Sequence, residues 1–355
     1  MSTSSPPTSV LVVRLGAMGD VIHTIPAAAA LRNAFPEIRI GWIIEQRWAE
    51  LLCAKDASRS GPRNSSRPLT DFVHLVDTKS WRKSLLSSGT RHEVAAVMHE
   101  VREQNYDIAI DFQGALKSAI IAKLAEAKTV VGMRSPREWP ARMFYRKATD
   151  ANGTHVIDQY HSLAEATVGH SLPHCPAMFP QDSRNESEVA KLLAPGEHFV
   201  LINPGTGWGA KQWPAERYGV VAKALAKDGL TPLINFGPGE EELALAAEKA
   251  SESPARRISC SIGELIALTR RARLFIGGDT GPLHLAAALQ IPVIAIFGPT
   301  DPARNGPYAT RSIVLRASAS RTSLSHTNEP DPGLLSITTD EVIAAARQTL
   351  EAHPA

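Results

Sequence analysis

The feature that most constrains this chain is an alternation that runs through it twice. Short β-rich runs, SVLVVRL, IRIGWIIE, FVHLVD, YDIAIDFQ and TVVGM, are separated by helical patterns such as DVIHTIPAAAALRNAF. Strands and helices alternating at this spacing build parallel sheets with helices on both faces. After residue 197 the grammar restarts with HFVLINPG, a helix from Pro214 to Lys227, TPLINFG, a helix from Glu240, LFIGGD, a helix from about Pro282, and PVIAIFG. Between the halves, QDSRNESEVAKLLAPGEH reads as a polar linker entering a short helix. At 355 residues the chain exceeds what a single core usually holds, roughly 250–300 residues. The expectation is α/β: two Rossmann-like doubly wound domains, 1–185 and 186–337, and a final helix within 338–355. Open α/β sheets bind ligands beyond the carboxyl ends of their strands, which puts the expected site in a central cleft between the domains.

Composition narrows the partners. Lys+Arg of 38 against Asp+Glu of 36 leaves no global field to draw in nucleic acid or membrane, so affinity for an acidic partner must be local. Cys53, Cys175 and Cys260 form no CxxC pair, which argues against structural zinc and a disulfide framework and fits a reducing cytoplasm. No apolar run reaches the ~18 residues of a membrane span, and MSTSSPPT has no basic leader region. The stretches 55–68 and 318–333, rich in Ser, Pro, Arg and Asn, read as exposed, mobile loops.

Several strand ends carry polar, glycine-rich turns. In GGDTGPLHLAAAL, Thr280 is placed to cap a helix, Gly281 admits close backbone approach, and His284 stands in the first turn. Such a helix start favours a phosphate; Asp279 alone reads equally as a cap. In NPGTGWGAKQWP, Thr206 and Lys211 flank glycines, and the lysine suits a diphosphate, although no Walker A pattern is present. In INFGPGEEE, Glu241 is placed to accept ribose hydroxyls, or simply to favour a helix start. The first turn, RLGAMGDVIHTIP, looks like a phosphate cradle too, yet Asp20 stands in its mouth and would repel one. Basic residues gather at Lys79–Lys83 and in RSPREWPARMFYRK, interleaved with Trp81, Trp139, Phe144 and Tyr145. That mixture suits an acidic amphipathic lipid, or is a solvated charge run. Nucleic acid is not expected, and no GxGxxG follows the first strand to support a nicotinamide dehydrogenase.

MGDVIHTIPA, YDIAIDFQGALKSA, Arg137 with MFYRK, KQWP, FGPGEEE, DTGPLHLAAAL and FGPTDP together span nearly the whole chain. With them the chain resembles glycosyltransferase family 9, the enzymes that add heptose in lipopolysaccharide core synthesis, most closely those of the heptosyltransferase I type. The resemblance implies a GT-B fold whose last helix crosses back to the first domain. It implies inverting transfer of L-glycero-D-manno-heptose from ADP-heptose to a Kdo sugar of Kdo-lipid A, without metal or cofactor, by a cytoplasmic enzyme peripheral to the anionic inner membrane. Asp20 falls on the general base. Donor contacts fall on Thr206, Lys211, Glu241, Cys260, Asp279, Thr280, Gly281 and His284, and acceptor contacts on Lys79, Lys83, Arg137 and His161.

Three features depart from the type. Ala17 replaces a serine beside the base, 55–68 is inserted, and NPGTGWGAKQW carries an extra residue, as in the heptosyltransferase II type. A family transferase with another acceptor or nucleotide sugar, and a catalytically silent nucleotide-binding protein, are the competing readings.

Overall fold

The structure, a computed structural model, describes residues 7–84, 86–252, 254–323 and 329–352. The chain divides after Asp182 into two units.

In the first unit, β1 (Ser9–Val13), β2 (Arg39–Glu45), β3 (Phe72–Val76), β4 (Ile108–Asp111), β5 (Thr129–Met133) and β6 (Lys147–Thr149) form one parallel sheet in the order β3-β2-β1-β4-β5-β6. The central strands are buried on both faces, which is why they read as unbroken apolar runs. Val13 pairs with both Ile43 and Asp111, so the chain leaves β1 beside the end of β4. The helix Met18–Ala34 follows β1 and packs against the helix Val156–Val168.

The second unit repeats the plan. β7 (Phe199–Asn203), β8 (Thr231–Asn235), β9 (Arg256–Ile258), β10 (Leu274–Gly278), β11 (Val293–Phe297) and β12 (Ser312–Arg316) form a parallel sheet in the order β12-β11-β10-β7-β8-β9. Strand order therefore reverses between β1 and β4 in one unit and between β7 and β10 in the other. At such switch points the loops after the strands splay apart and leave room for a ligand.

Both loops are more firmly held than expected. The stretch 55–68 is tied down by Arg67, only 1% exposed, whose guanidinium donates to the carbonyls of Ser58, Gly61, Pro62, Thr70 and Asp71. Of 318–333, residues 324–328 lie outside the described residues. The rest is anchored: Ser320 Oγ donates to Asp331 at 2.7 Å, and the Asp331 N–H donates to the Ala210 carbonyl. The last helix, Thr339–Glu351, falls within the second unit. Val342, Ala345 and Ala346 pack into the second unit's core, while the carbonyl of Ile337, just before this helix, accepts from the Trp213 indole at 3.0 Å. The linker's helix, Ser183–Leu192, likewise belongs to the second unit, packed on Ile262–Thr269.

Candidate active site

At the first switch point the turn after β1 carries Arg14 and Asp20. Arg14 is buried, donates to the Phe112 carbonyl at 2.8 Å and lies over the Tyr160 ring. Its second terminal nitrogen meets the Asp20 carboxylate at 2.7 Å. Burial by itself would weaken the guanidinium's hold on its proton, but Tyr160, Asp20 and Asp111 outweigh it and the group stays cationic. The other Asp20 oxygen accepts the Ala17 N–H, closing the helix start. The Asp20 side chain is still 39% exposed, so it is oriented from beneath and open above.

The turn after β4 is made rigid by Asp111. This fully buried carboxylate accepts from Tyr145 Oη (2.7 Å), Ser118 Oγ (3.0 Å) and the Gln113 and Gly114 N–H groups. Burial still pushes it above the ordinary carboxylate range against those four bonds. Gln113 accepts the Leu15 N–H, which fastens this turn to that of β1. Gly114 has φ +65°, and a Cβ there would stand 3.0 Å from the Arg137 N. That close approach sets exposed Arg137 beside the end of β4. Around the same edge, Glu45 at the end of β2, Thr78 after β3 and Lys117 after β4 are joined: Thr78 Oγ1 donates to Glu45, and Lys117 Nζ stands 2.8 Å from Thr78 Oγ1 and 3.4 Å from Glu45. Thr78 opens the short helix Thr78–Lys83, capped by Asp77, which presents Lys79 and Lys83 to solvent.

The second switch point carries a lysine–aspartate pair. Lys211 Nζ lies 2.5 Å from Asp279 Oδ2 and 4.4 Å from the Trp208 ring centre. His284 Nε2 meets the other Asp279 oxygen at 3.0 Å. Burial would raise the Asp279 carboxyl, but His284 and Lys211 together hold it well below the usual range. Thr280 does not cap its helix: its side chain turns back toward the Gly278 carbonyl, leaving the N-terminus of Gly281–Ala288 without a side-chain cap. Thr206 Oγ1 donates to the Trp208 carbonyl at 2.6 Å, shaping the turn that carries Lys211.

Glu240 accepts the Gly237 N–H at 2.8 Å, and a Cβ on Gly205 would fall 2.1 Å from its carboxyl carbon. Glu240 is thus the acid that reaches the β7 turn, whereas Glu241 is exposed in the first turn of its helix. His161 is buried in Val156–Val168, bonded to the Leu172 carbonyl at 3.1 Å and stacked on His174. Cys260 stands after β9, where burial, with Glu264 nearby, pushes its thiol up to about 12 and keeps it neutral. Arg14, Glu240 and the Glu45–Thr78–Lys117 group escaped the sequence reading; a charged residue closing an apolar strand, as in VVR and WIIE, was the available signal.

Among the described residues, no group of three or more His, Cys, Asp or Glu side chains is placed to hold a metal, and no helix is long and apolar enough to cross a membrane.

Lipopolysaccharide heptosyltransferase 1 of Pseudomonas aeruginosa is 29% identical over 314 residues, covering 86% of this chain and 83% of that one. The Escherichia coli K12 protein of the same name is 29% identical, covering 87% and 93%. Lipopolysaccharide heptosyltransferase 3 of Escherichia coli K12 is 24% identical, covering 80% of each. The solved structure of the Escherichia coli heptosyltransferase WaaC with ADP superposes with a TM-score of 0.77 at 27% identity, covering 96% of this chain and 99% of that one. The two doubly wound units are those of the GT-B fold. Residues 94–331 match glycosyltransferase family 9 (heptosyltransferase). A match over so much of the sequence decides the matter: this chain belongs to glycosyltransferase family 9 and is a glycosyltransferase.

Proposed function

We propose that this enzyme transfers L-glycero-D-manno-heptose from ADP-heptose to a Kdo residue of Kdo-lipid A, with inversion and without a metal, at the cytoplasmic face of the inner membrane. The observation that carries the reading is a difference between the two switch points. One presents a solvent-open carboxylate seated on a buried arginine, and the other a half-buried lysine, paired with a buried aspartate, beside a helix start that has no side-chain cap. Relatives named lipopolysaccharide heptosyltransferase 1, and structures of WaaC with ADP and with ADP-2-deoxy-2-fluoro heptose, support heptose transfer from this donor.

In this reaction Asp20 takes the proton of the acceptor hydroxyl as its oxygen bonds to the anomeric carbon and the bond to the diphosphate breaks. Positive charge spreads over the sugar ring in the transition state, as in glycoside hydrolysis. Negative charge grows on the departing diphosphate, where Lys211 and the Gly281 N–H end oppose it. Asp279 and His284 fix Lys211, Thr206 and Thr280 shape the two turns, Glu240 accepts ribose hydroxyls, and Cys260 is a neutral contact. Lys79, Lys83 and Arg137 meet the anionic acceptor.

The test is a transfer assay with Kdo-lipid A, read by product mass, with ADP-, GDP- and UDP-sugars in competition. The reading expects one added heptose, ADP as leaving group and a rate unaffected by a chelator. Donor binding with no product would favour a silent nucleotide-binding protein. Refusal of Kdo-lipid A with acceptance of an already heptosylated core would favour another acceptor.

A further inference from the structure

One face of the first unit is apolar where solvent reaches it. Leu116, Ile120 and Leu124, spaced by four along the helix Leu116–Leu124, form one stripe and are each 36–39% exposed. The 3-10 turn Trp139–Phe144 packs on this helix, with Trp139 71% and Met143 69% exposed. Glu138 accepts the Leu116 N–H at 2.8 Å, so stripe and turn meet at Leu116. Scattered exposed apolar residues need no explanation, but a contiguous set does.

Cations accompany it along the chain: segment 134–147 holds five basic residues and one acid, Lys123 is exposed on the striped helix, and Arg146 is exposed just past the turn. The aromatics of the basic stretches are not equivalent: Trp81 and Tyr145 are core residues, Phe144 is half-buried, and Trp139 alone stands out. A merely solvated charge run has no reason to hold an indole in water. Tryptophan amid lysine and arginine, beside an aliphatic stripe, is what a headgroup layer favours.

We propose that this face docks on the surface of a bilayer bearing anionic lipid headgroups. Trp139, Met143 and the Leu116–Ile120–Leu124 stripe enter the boundary between headgroups and acyl chains, and Lys123 and Arg146 meet the phosphates. The inference deepens the proposed function, whose acceptor is lipid-linked, by naming the surface that approaches the lipid.

The experiment is sedimentation of the full chain with vesicles of phosphatidylethanolamine and phosphatidylglycerol, against vesicles of phosphatidylcholine. Binding to the anionic vesicles is expected, weakened by salt. The double variant Trp139→Glu with Met143→Glu is expected to lower it at least roughly tenfold, and Lys123→Glu several-fold, both with ADP binding unchanged. Equal sedimentation of the double variant, no binding to anionic vesicles, or equal binding to phosphatidylcholine would each overturn the proposal. Transfer to a water-soluble Kdo acceptor is measured on the same proteins and should survive the double substitution. A chain that binds vesicles through Trp139 yet transfers nothing to the Kdo acceptor supports the docking face and overturns only the proposed heptose-to-Kdo transfer.

Discussion

The Arg14 guanidinium lies 2.7 Å from the Asp20 carboxylate, and its other arm is fixed to the Phe112 carbonyl across the strand reversal. The carboxylate's direction is therefore set by a buried residue six positions upstream. Replacing Arg14 by Met keeps much of the volume and removes that hold. Turnover should fall roughly tenfold to a hundredfold, the range that follows small misplacements of a reacting group, while ADP affinity in the other unit is retained. The Phe112 carbonyl loses its partner, at a cost of about 1–3 kcal/mol, which urea denaturation would register. Parental turnover would show that Arg14 does not position Asp20.

Asp279 should make the second unit sensitive to acid. Its folded carboxyl is held below the usual range by His284 and Lys211 against burial, so its contribution is fully present above the unfolded value, about 3.9. It is lost as pH falls from there toward the folded value, because the unfolded chain takes up a proton that the folded chain refuses. Asp279→Asn should therefore be less stable than the parent at pH 7, by a gap that narrows below about pH 4. A gap that stays constant in denaturant titrations at the two pH values would contradict this.

Gly205 and Gly207 differ by what a methyl group would meet. At Gly205 it would collide with the Glu240 carboxyl, and at Gly207 nothing lies within 4 Å. Gly205→Ala should raise the KM for the nucleotide sugar about tenfold or more, equivalent to about 1.4 kcal/mol, whereas Gly207→Ala should behave as the parent. Glu240→Gln should weaken the donor more than Glu241→Gln, and steady-state kinetics on the four variants would decide which acid serves.

Arg67 satisfies five carbonyls from a buried position. Arg67→Met leaves them without that donor, and a loss of about 2–4 kcal/mol is expected from removing a buried charged donor. Urea unfolding would measure it, and limited proteolysis should then cut within 55–68 faster than in the parent.

Core strands were legible in the sequence because burial on both faces makes them continuous apolar runs. The edge strands β6 and β9, three residues each, and β12, whose residues are all partly or fully exposed, were not, since solvent on the outer side erases that signal. Asp20, Lys211 and Asp279 could be singled out because each stands just beyond a strand, where α/β sheets place ligands. Glu45 with Lys117 could not, because partners 72 residues apart become neighbours only once β2 and the helix after β4 are in place. His161 illustrates the converse. A histidine's sequence context does not state whether it is buried, and here the Leu172 carbonyl and the His174 ring use it for packing.

The division of labour between the switch points is tested most directly by Asp20→Asn in a single-turnover assay with ADP-heptose and Kdo-lipid A. The amide keeps the shape and cannot take the proton. Transfer should slow by about 10²–10⁴-fold, with ADP-heptose affinity unchanged. A rate equal to the parent's would remove Asp20 from the mechanism, and a loss of donor affinity in step with the rate would contradict its assignment to the acceptor.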